Sequence, residues 1–531
     1  MTSADHIRAH EYLGAGPDFP HSAWRTPFDA LHRFARRQGD APLITAVARD
    51  GTETTLDYRT AETASARLAG WLCAEFGTAR PAVLALAPTN DVPSVLAVLG
   101  VLRAGFGLLM LGPSDPPERR ALQIEAAGAL AVLRVPGTDA PHEDSTALPH
   151  WEDLQERALP LPPLDPAADA LYFATSGSTA ASKLVAQSHV NAVANAEAVR
   201  RHHVLVPGDR VLGCLPIHHV NGLHFTVLGT MTAGAHTILA ESFSPMTYQK
   251  TLRHYRPRIA SVVPGVLEAL VETWRGAEVP PDFDYFVSAA APLTTRTARA
   301  VADRLGTRVL QAYGLSETTN FSTTMPADLS DETYRRLMLD PDIPSVGVAV
   351  YGNEVAVLDE NCRPVRPGQV GEVCMRGFNV MSGYAGNAGA TAEAFRDGWF
   401  HSQDLGHVVR EEGREYVVLT GRLKNIAKVS GETVSLEEMD RVLRALPEVR
   451  DAACVTVPDR FTGESIIAAV VLTGRADAAD PWTALRARFS PAVLPSRLVP
   501  VDEIPRTATG KVLRPRLSAS LSEALASGRL R

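Results

Sequence analysis

Short apolar runs alternate with amphipathic runs between about residues 55 and 315. The first pair is AVLALAP at 82–88, which is typical of a buried strand, and VPSVLAVLGVLRAG at 92–105, a helix that ends at Gly105. Because strands separated by helix-length segments form mostly parallel sheets with helices on their faces, the pattern predicts an α/β domain. Further strands are predicted at 171–175, 211–216, 236–240, 259–264, 284–290 and 308–314, and helices at 222–232 and 293–305.

The pattern changes twice beyond residue 345. Short alternating strands with frequent Gly, Pro and Asn over 345–420 predict an antiparallel β subdomain. Beyond it, an amphipathic helix with an acidic first turn at 435–449 and the strand-like runs AACVTVPD and SIIAAVVLT predict a small α+β domain. We therefore expect a large domain over 1–420 and a small domain over 421–531.

Composition narrows the class of protein. Hydrophobic residues make up 45% of the 531 residues, which is enough for a buried core. With 52 Lys and Arg against 60 Asp and Glu, the net charge of −8 argues against a surface built to bind nucleic acid. The five cysteines contain no CxxC pair, which excludes a disulfide framework or an ordinary zinc cluster. No apolar run approaches the roughly 18 residues of a membrane span, so we expect a cytoplasmic protein.

The most informative segment reads TSGSTAASK, from Thr175 to Lys183, and follows a predicted strand. Small residues let backbone N–H groups approach an anion, hydroxyls add donors, and the lysine adds positive charge. This chemistry suits a polyphosphate, although a Ser/Thr-rich turn would have the same composition. The segment is not a Walker A loop, because the second glycine of GxxxxGK[ST] is missing and Leu184 follows the lysine.

Three further segments carry candidate chemistry, each weak on its own. AYGLSET holds Glu317, a carboxylate that could bind Mg²⁺ at a strand end, and Tyr313, which could stack on a base. GWFHSQDLG holds Asp404, which could accept hydrogen bonds from both hydroxyls of a ribose. PRTATGK presents Lys511 on a loop with a Thr/Gly tip.

Together the segments TSGST…K, AYGLSET, GWFHSQDLG, GR and PRTATGK resemble, in this order, the adenylate-forming superfamily. That superfamily includes acyl- and aryl-CoA synthetases, carrier-protein adenylation domains and firefly luciferase, and the resemblance covers nearly the whole chain. It implies an α/β fold: a large N-terminal domain of stacked, mostly parallel sheets with helices plus a β subdomain, and a small mobile α+β C-terminal domain. It also implies ATP and Mg²⁺ as cofactors, and coenzyme A or phosphopantetheine as co-substrate.

The resemblance assigns roles to the matching residues. Lys511 would contact the substrate carboxylate and the α-phosphate, and Glu317 would bind Mg²⁺. The implied catalytic residues are Lys511, Glu317, Thr318 and His219. The implied nucleotide-binding residues are Thr175, Ser176, Gly177, Ser178, Thr179, Lys183, Ala290, Ala291, Pro292, Tyr313, Gly314, Asp404 and Arg422. The acid pocket would be lined by His219, His224, Val263, Ser288, Gly314 and Asn320.

The chain also departs from the pattern of the superfamily. Ala180, Ser182 and Leu184 replace Gly, Pro and Gly in the phosphate loop, which puts the exact path of that loop in question. Ala289 and Ala290 stand where Gly-Gly or Gly-Ala is usual, and this narrows the space over the base. Lys424 stands at the domain hinge, where Asp is commonest. Because Glu317 and Lys511 are retained, we expect a working enzyme.

Three functions are compatible with these residues. The leading one is an ATP-dependent ligase that adenylates a small carboxylic acid and passes the acyl group to a thiol of coenzyme A or of a carrier protein. The second is an adenylating enzyme with an unusual acid such as nitrite, or a non-thiol acceptor such as an amine. The third is a non-catalytic adenylate-binding protein. Three histidines in IHHVNGLH, together with Asn221, favour a small or polar acid. An acyl carrier protein is a candidate partner; nucleic acid and membranes are not.

Overall fold

The computed structural model describes residues 4–16, 24–138, 144–154, 161, 163–175, 183–276, 278–429, 432–459, 463–473, 481–507 and 510–526. Two large sheets form the N-terminal part of the molecule. In spatial order, sheet 1 consists of Val348–Ala349, Thr323–Thr324, Arg308–Tyr313, Tyr285–Ser288, Ile259–Val262, Arg210–Gly213, His236–Ala240, Pro42–Val47 and Glu53–Asp57. Sheet 2 consists of Gly383–Tyr384, Leu184–Ser188, Asp169–Ala174, Gly107–Met110, Val83–Leu86, Ala131–Arg134 and Thr146–Ala147.

Most neighbouring strands of sheets 1 and 2 run parallel, and antiparallel pairs lie towards the sheet edges. A hydrophobic cluster takes buried side chains from both sheets, for example Ile44 and Leu108, and from helices that pack between them. The helices of this part are Ala4–Arg8, Pro27–Arg37, Tyr58–Phe76, Val92–Arg103, Pro117–Ala127, His189–His202, Thr230–Thr232, Tyr248–Tyr255, Pro264–Thr273, Thr295–Leu305, Asp331–Tyr334 and Ala388–Ala394. The 3₁₀ helices of this part are Trp151–Asp153 and Ser316–Thr318, and the π-helices are Asn221–Gly229 and Arg335–Leu339.

Two smaller sheets follow along the chain. Sheet 3 is antiparallel and contains Asn353–Leu358, Gly371–Gly377, Trp399–Glu411, Phe395–Arg396 and Arg414–Arg422. After the single turn Leu423–Asn425, sheet 4 contains Glu432–Ser435, Ile426–Val429, Gly463–Leu472, Val449–Asp459 and Arg497–Pro500. The helices beside it are Leu436–Arg444, Pro481–Arg486, Pro491–Val493 and Arg514–Ala526. A large domain of mostly parallel sheets and helices with a smaller α+β domain confirms the predicted fold class.

Local signals in the sequence explain where these helices begin. The side chain of Asp91 accepts a hydrogen bond from the backbone N–H of Ser94 at 2.7 Å, which caps the helix Val92–Arg103. Ser188 and Asn191 exchange side-chain and backbone hydrogen bonds at the start of His189–His202. One predicted element differs in kind, because the apolar stretch expected as a helix over 222–232 begins as a π-helix, Asn221–Gly229.

None of the helices in the described ranges is long and apolar enough to cross a membrane.

Candidate active site

Lys511, the lysine of the PRTATGK segment, lies on a hairpin that hydrogen bonds and an ion pair stabilise. The backbone N–H of Thr507 donates to the carbonyl oxygen of Lys511 at 2.8 Å, and the N–H of Lys511 donates to Thr507 Oγ1 at 3.1 Å. Arg506 ties the loop down, because it pairs with Asp451 at 2.7 Å and donates to the Gly510 carbonyl oxygen at 2.7 Å. Residues 508 and 509 lie outside the described chain.

Lys511 reaches across to the large domain. A Cβ atom placed on Gly510 would lie 3.6 Å from the Cβ of Ala291, so the hairpin lies against the segment 290–292 that is predicted to bind the nucleotide. Burial and the Arg422 guanidinium lower the pKa of Lys511, while the carboxylates of Asp404 and Glu317 oppose that shift. Residues more than 190 positions apart in sequence thus share one electrostatic environment.

Asp404 is the buried anion of this cleft and is 3% exposed. Its Oδ1 pairs with Arg422 Nε at 2.6 Å, and its Oδ2 accepts a hydrogen bond from the Tyr313 hydroxyl at 2.7 Å. The carboxylate raises the pKa of Arg422, and burial with the same carboxylate raises that of Tyr313. Because each carboxylate oxygen can accept two hydrogen bonds, capacity for ribose hydroxyls remains.

Glu317 lies in the 3₁₀ turn Ser316–Thr318, directly after the strand Arg308–Tyr313 of sheet 1. The hydroxyl of Tyr384 donates to Glu317 Oε1 at 3.0 Å, and the backbone N–H of Met381 donates to the Glu317 carbonyl oxygen at 2.8 Å. Among the described residues, hydrogen bonds engage only Oε1 of this carboxylate. A half-buried carboxylate with one free oxygen is a fitting ligand for Mg²⁺.

The neighbouring threonines support this turn. Thr318 is fully buried, and its Oγ1 accepts a hydrogen bond from the N–H of Leu315 at 3.0 Å. Thr319 adopts a φ of 64° and donates its hydroxyl to the Asn379 carbonyl oxygen at 2.6 Å. The catalytic role implied for Thr318 stays a prediction, since its hydroxyl caps the turn in this structure.

The predicted phosphate loop is described only at its two ends. Ser176, Gly177, Ser178 and Thr179 lie outside the described residues, as do the unusual Ala180 and Ser182. At the base of the loop, the Thr175 N–H donates to the Lys183 carbonyl oxygen at 2.9 Å. The Lys183 ammonium lies 4.6 Å from the ring centroid of Tyr384.

Backbone strain marks the segments around the cleft. Ala290 has a φ of 70° and Gln403 a φ of 62°, in a region that costs an L-residue about 1–2 kcal/mol. Such conformations concentrate at functional sites. Gly314 is required for a different reason, because a Cβ there would overlap the carbonyl oxygen of Asn320. Ala291 and Pro292 follow Ala290 directly, and the nucleotide contact implied for them stays a prediction.

The pKa values of His218 and His219 are both lowered, which favours neutral rings, and Lys511 is one of the cations near His219. Burial lowers the pKa of His219, the cations of Lys511 and Arg119 lower it further, and Asp115 opposes them. The ring of His218 lies 4.4 Å from that of His219, and burial lowers its pKa to about 3. Neutral imidazoles can donate hydrogen bonds to a carboxylate without forming an ion pair with it.

His224 belongs to a buried chain of hydrogen bonds, and its place in the acid pocket stays a prediction. Its side chain is fully buried, its Nε2 lies 2.8 Å from Gln187 Oε1, and burial lowers its pKa to about 3. Gln187 in turn donates to the carbonyl oxygen of Ser316 at 2.7 Å. His224 therefore supports the turn that carries Glu317, through a glutamine that the sequence did not single out.

Other residues predicted to line the acid pocket are buried at the carboxyl ends of the strands. Val263 follows Ile259–Val262, and Ser288 ends Tyr285–Ser288. Asn221 Oδ1 accepts a hydrogen bond from the hydroxyl of Ser261 at 2.8 Å, while its buried Nδ2 has no partner within the described structure. Asn320 is 3% exposed and donates to Asn195 Oδ1 at 3.4 Å. The region is polar and anchored from below.

Comparison with known proteins agrees with this geometry. The AMP-binding enzyme model matches residues 31–385, and the AMP-binding enzyme C-terminal domain model matches 438–511. The chain is 34% identical over 395 residues to the sulfoacetate–CoA ligase of Cupriavidus necator, covering 73% of this chain and 74% of the relative. The oxalate–CoA ligase of Arabidopsis thaliana is 28% identical over 480 residues, covering 84% and 90%. The ATP-bound structure of MatB from Rhodopseudomonas palustris has a TM-score of 0.80 and 25% identity, covering 93% and 99%.

The fold, the cleft and these matches define an adenylate-forming enzyme. The chain belongs to the AMP-binding enzyme family, and the relatives make it an AMP-forming acid–thiol ligase of the acyl-CoA synthetase type. ATP-dependent activation of an acid followed by thioester formation with coenzyme A is the reaction of this class.

Proposed function

We propose that the enzyme adenylates a short carboxylic acid bearing a second polar or anionic group, and transfers the acyl group to the thiol of coenzyme A. The observation that carries this proposal is the position of Lys511, which shares the cleft with Glu317, Asp404 and Arg422. A cation from the small domain is then available where a carboxylate meets the α-phosphate of ATP.

Charge determines how the first step proceeds. A carboxylate oxygen of the acid attacks the α-phosphorus of ATP. The bond between the α-phosphorus and the oxygen that bridges it to the β-phosphorus breaks, and pyrophosphate leaves with that electron pair. The Lys511 ammonium offsets the negative charge shared by the attacking carboxylate and the phosphoryl oxygens. Asp404 would hold the ribose hydroxyls, with Arg422 fixing that carboxylate. Mg²⁺ bound at Glu317 would neutralise charge on the phosphates.

The second step uses the acyl-adenylate as a mixed anhydride. The thiol sulfur bonds to the acyl carbon, the carbon–oxygen bond to phosphate breaks, AMP leaves, and the thiol proton passes to solvent or base. We infer that the small domain rotates about the turn Leu423–Asn425, which joins sheets 3 and 4. Rotation would withdraw Lys511 and bring the 428–433 segment inward; residues 430 and 431 lie outside the described chain.

The identity of the acid is inferred from the buried polar groups. The side-chain nitrogen of Asn221, two residues after His219, is buried without a partner among the described residues, and burying an alkyl chain against an unpaired amide is unfavourable. Sulfoacetate and oxalate, which appear in the names of two relatives, are short acids with a second anionic group. We therefore place the substrate in that chemical class.

An ATP–pyrophosphate exchange screen tests the proposal. The panel contains sulfoacetate, oxalate, other short dicarboxylates, benzoate, octanoate and nitrite. Exchange that is strongest with the short acids that bear a second anionic group supports the assignment, and strongest exchange with octanoate or nitrite contradicts it. Mass spectrometry of the product formed with coenzyme A then tests the acceptor. An acyl-CoA supports the thiol, whereas product formed only with an amine or only on a carrier protein contradicts it.

A further inference from the structure

Tyr384 contacts two residues that the proposed adenylation reaction would use to hold MgATP. Its hydroxyl donates to Glu317 Oε1 at 3.0 Å, and its ring centroid lies 4.6 Å from the Lys183 ammonium. Lys183 ends the predicted phosphate loop, and Glu317 is the candidate magnesium ligand. One side chain thus contacts both a cation and an anion of the site.

The backbone fixes Tyr384 in this position. Gly383–Tyr384 pairs antiparallel with Leu184–Ser188, so that Tyr384 lies opposite Val185. The N–H of Ala385 donates to the Leu184 carbonyl oxygen at 2.8 Å, and the N–H of Tyr384 is 2.9 Å from Thr391 Oγ1. The strand Leu184–Ser188, which starts directly after Lys183, therefore holds the strand Gly383–Tyr384 beside it.

The Tyr384 side chain contacts the Glu317 carboxylate and the Lys183 ammonium separately. Within the described part of the chain, Glu317 and Lys183 form no ion pair with each other, although each contacts the same side chain. Burial and the Glu317 carboxylate raise the pKa of Tyr384, so its hydroxyl stays protonated and remains a donor. If Lys183 and Glu317 paired directly, each charge would be partly neutralised before ATP or Mg²⁺ arrived.

We propose that Tyr384 is a positioning residue that orients the Glu317 carboxylate through its hydroxyl and, through its ring, holds Lys183 away from that carboxylate. This inference rests on the proposed function, because it assumes that Glu317 and Lys183 serve MgATP. The two contacts belong to different parts of one side chain, so two substitutions separate them. Tyr384→Phe removes the hydroxyl and keeps the ring, and Tyr384→Leu removes both.

Binding of ATP by the full chain, measured by isothermal titration calorimetry over a series of Mg²⁺ concentrations without acid, is the test. Tyr384→Phe should raise the Mg²⁺ concentration for half-maximal ATP binding about five- to tenfold, because a hydrogen bond to a charged group is lost. Its ATP affinity at saturating Mg²⁺ should stay within about twofold of the unmodified protein. Tyr384→Leu should also weaken ATP binding at saturating Mg²⁺ by about tenfold, because Lys183 is released towards Glu317.

Tyr58→Phe is the matched control, since its buried hydroxyl donates to the Ala235 carbonyl oxygen at 2.7 Å in another part of the large domain. It should lower the melting temperature as Tyr384→Phe does, without moving the Mg²⁺ dependence. The inference is overturned if Tyr384→Phe has the Mg²⁺ dependence of Tyr58→Phe, or if Tyr384→Leu binds ATP as tightly as Tyr384→Phe. Failure of the unmodified protein to bind ATP would instead overturn the proposed function, and this inference with it.

Discussion

At the scale of single residues, Lys511 is the most consequential side chain in the proposal. Its ammonium lies in the cleft together with Glu317 and Asp404 in this structure. Lys511→Ala should lower the rate of acyl-adenylate formation by about 10²–10³-fold, because a preplaced charge is lost from the first transition state. Pyrophosphate release in single-turnover experiments measures this step.

The control is the second half-reaction. When preformed acyl-adenylate and coenzyme A are supplied to Lys511→Ala, thioester formation should proceed at close to the normal rate, because the rotated small domain no longer uses this lysine. An equal loss in both steps would show that Lys511 supports the structure in general and does not act in adenylation.

The lowered pKa of Lys511 gives a pH dependence with a definite sign. Burial and Arg422 move this pKa below the ordinary value of 10.5, so the ammonium loses its proton at a lower pH than an exposed lysine. The value of kcat/KM for ATP should therefore fall as pH rises through that lowered pKa. Thioester formation from preformed adenylate should lack this fall; the same alkaline fall in both steps would assign it to another group.

At the scale of elements, two strands of sheet 3 provide an internal comparison. Asp404 and Arg422 face each other across Trp399–Glu411 and Arg414–Arg422, with side chains 5% and 31% exposed. Arg410 and Glu415 pair across the same strands at 68% and 55% exposure. Burial is thus the main difference between the two ion pairs.

Asp404→Asn should cost about 3 kcal/mol of folding free energy, because Arg422 is left without its anion, and it should also weaken ATP binding. Glu415→Gln should cost less than about 1 kcal/mol and leave ATP binding unchanged. Denaturant titration and calorimetric ATP binding measure both effects. If the two variants lost equal stability, the buried Asp404–Arg422 pair would contribute no more to folding than the exposed Arg410–Glu415 pair, which contradicts the prediction.

The elements themselves were largely predictable from the sequence. The strands Ile259–Val262 and Arg308–Tyr313 lie within the predicted runs, because short apolar segments between turn residues are typical of buried parallel strands. The stretch 222–232 was predicted as a helix, but its first part is a π-helix. The hydrophobic pattern shows which side of a helix is buried, but it does not show whether the helix has α or π hydrogen bonding. That depends on packing neighbours such as Pro216, whose carbonyl oxygen lies close to Gly222.

The candidate site was predictable only in part. The order of motifs indicated Glu317, Asp404 and Lys511, and the structure brings these three charges into one cleft. Tyr384 and Gln187 were missed, because their contacts join segments 67 and 129 residues apart and no local pattern records such pairs. The buried position of His224 was likewise not predictable, because the sequence shows only that His218, His219 and His224 lie close together along the chain.

At the scale of the whole molecule, the proposed two-step reaction needs the small domain to rotate about the turn Leu423–Asn425, which joins sheets 3 and 4. Arg422, just before it, has φ −128° and ψ 141°, which is the extended conformation that a following proline requires. Leu423→Pro should therefore fit the present arrangement of the domains, since proline favours the first position of a helical turn. It should also stiffen the joint against rotation.

Leu423→Pro should keep adenylation within about threefold of the unmodified enzyme and slow thioester formation by more than about tenfold, because only the second step requires rotation. Leu423→Ala is the matched control and should preserve both steps. Rapid-quench measurement of acyl-adenylate and acyl-CoA separates the two rates. Undiminished thioester formation in Leu423→Pro would place the hinge elsewhere.

The central claim is that this cleft joins a carboxylate oxygen to the α-phosphorus of ATP. Its most direct test uses the acid that supports the strongest exchange, labelled with ¹⁸O in its carboxylate, with ATP and coenzyme A and the full chain. The account predicts that one ¹⁸O atom of each acid molecule consumed appears in AMP, with unlabelled pyrophosphate as the other product. Label in orthophosphate together with ADP would contradict it.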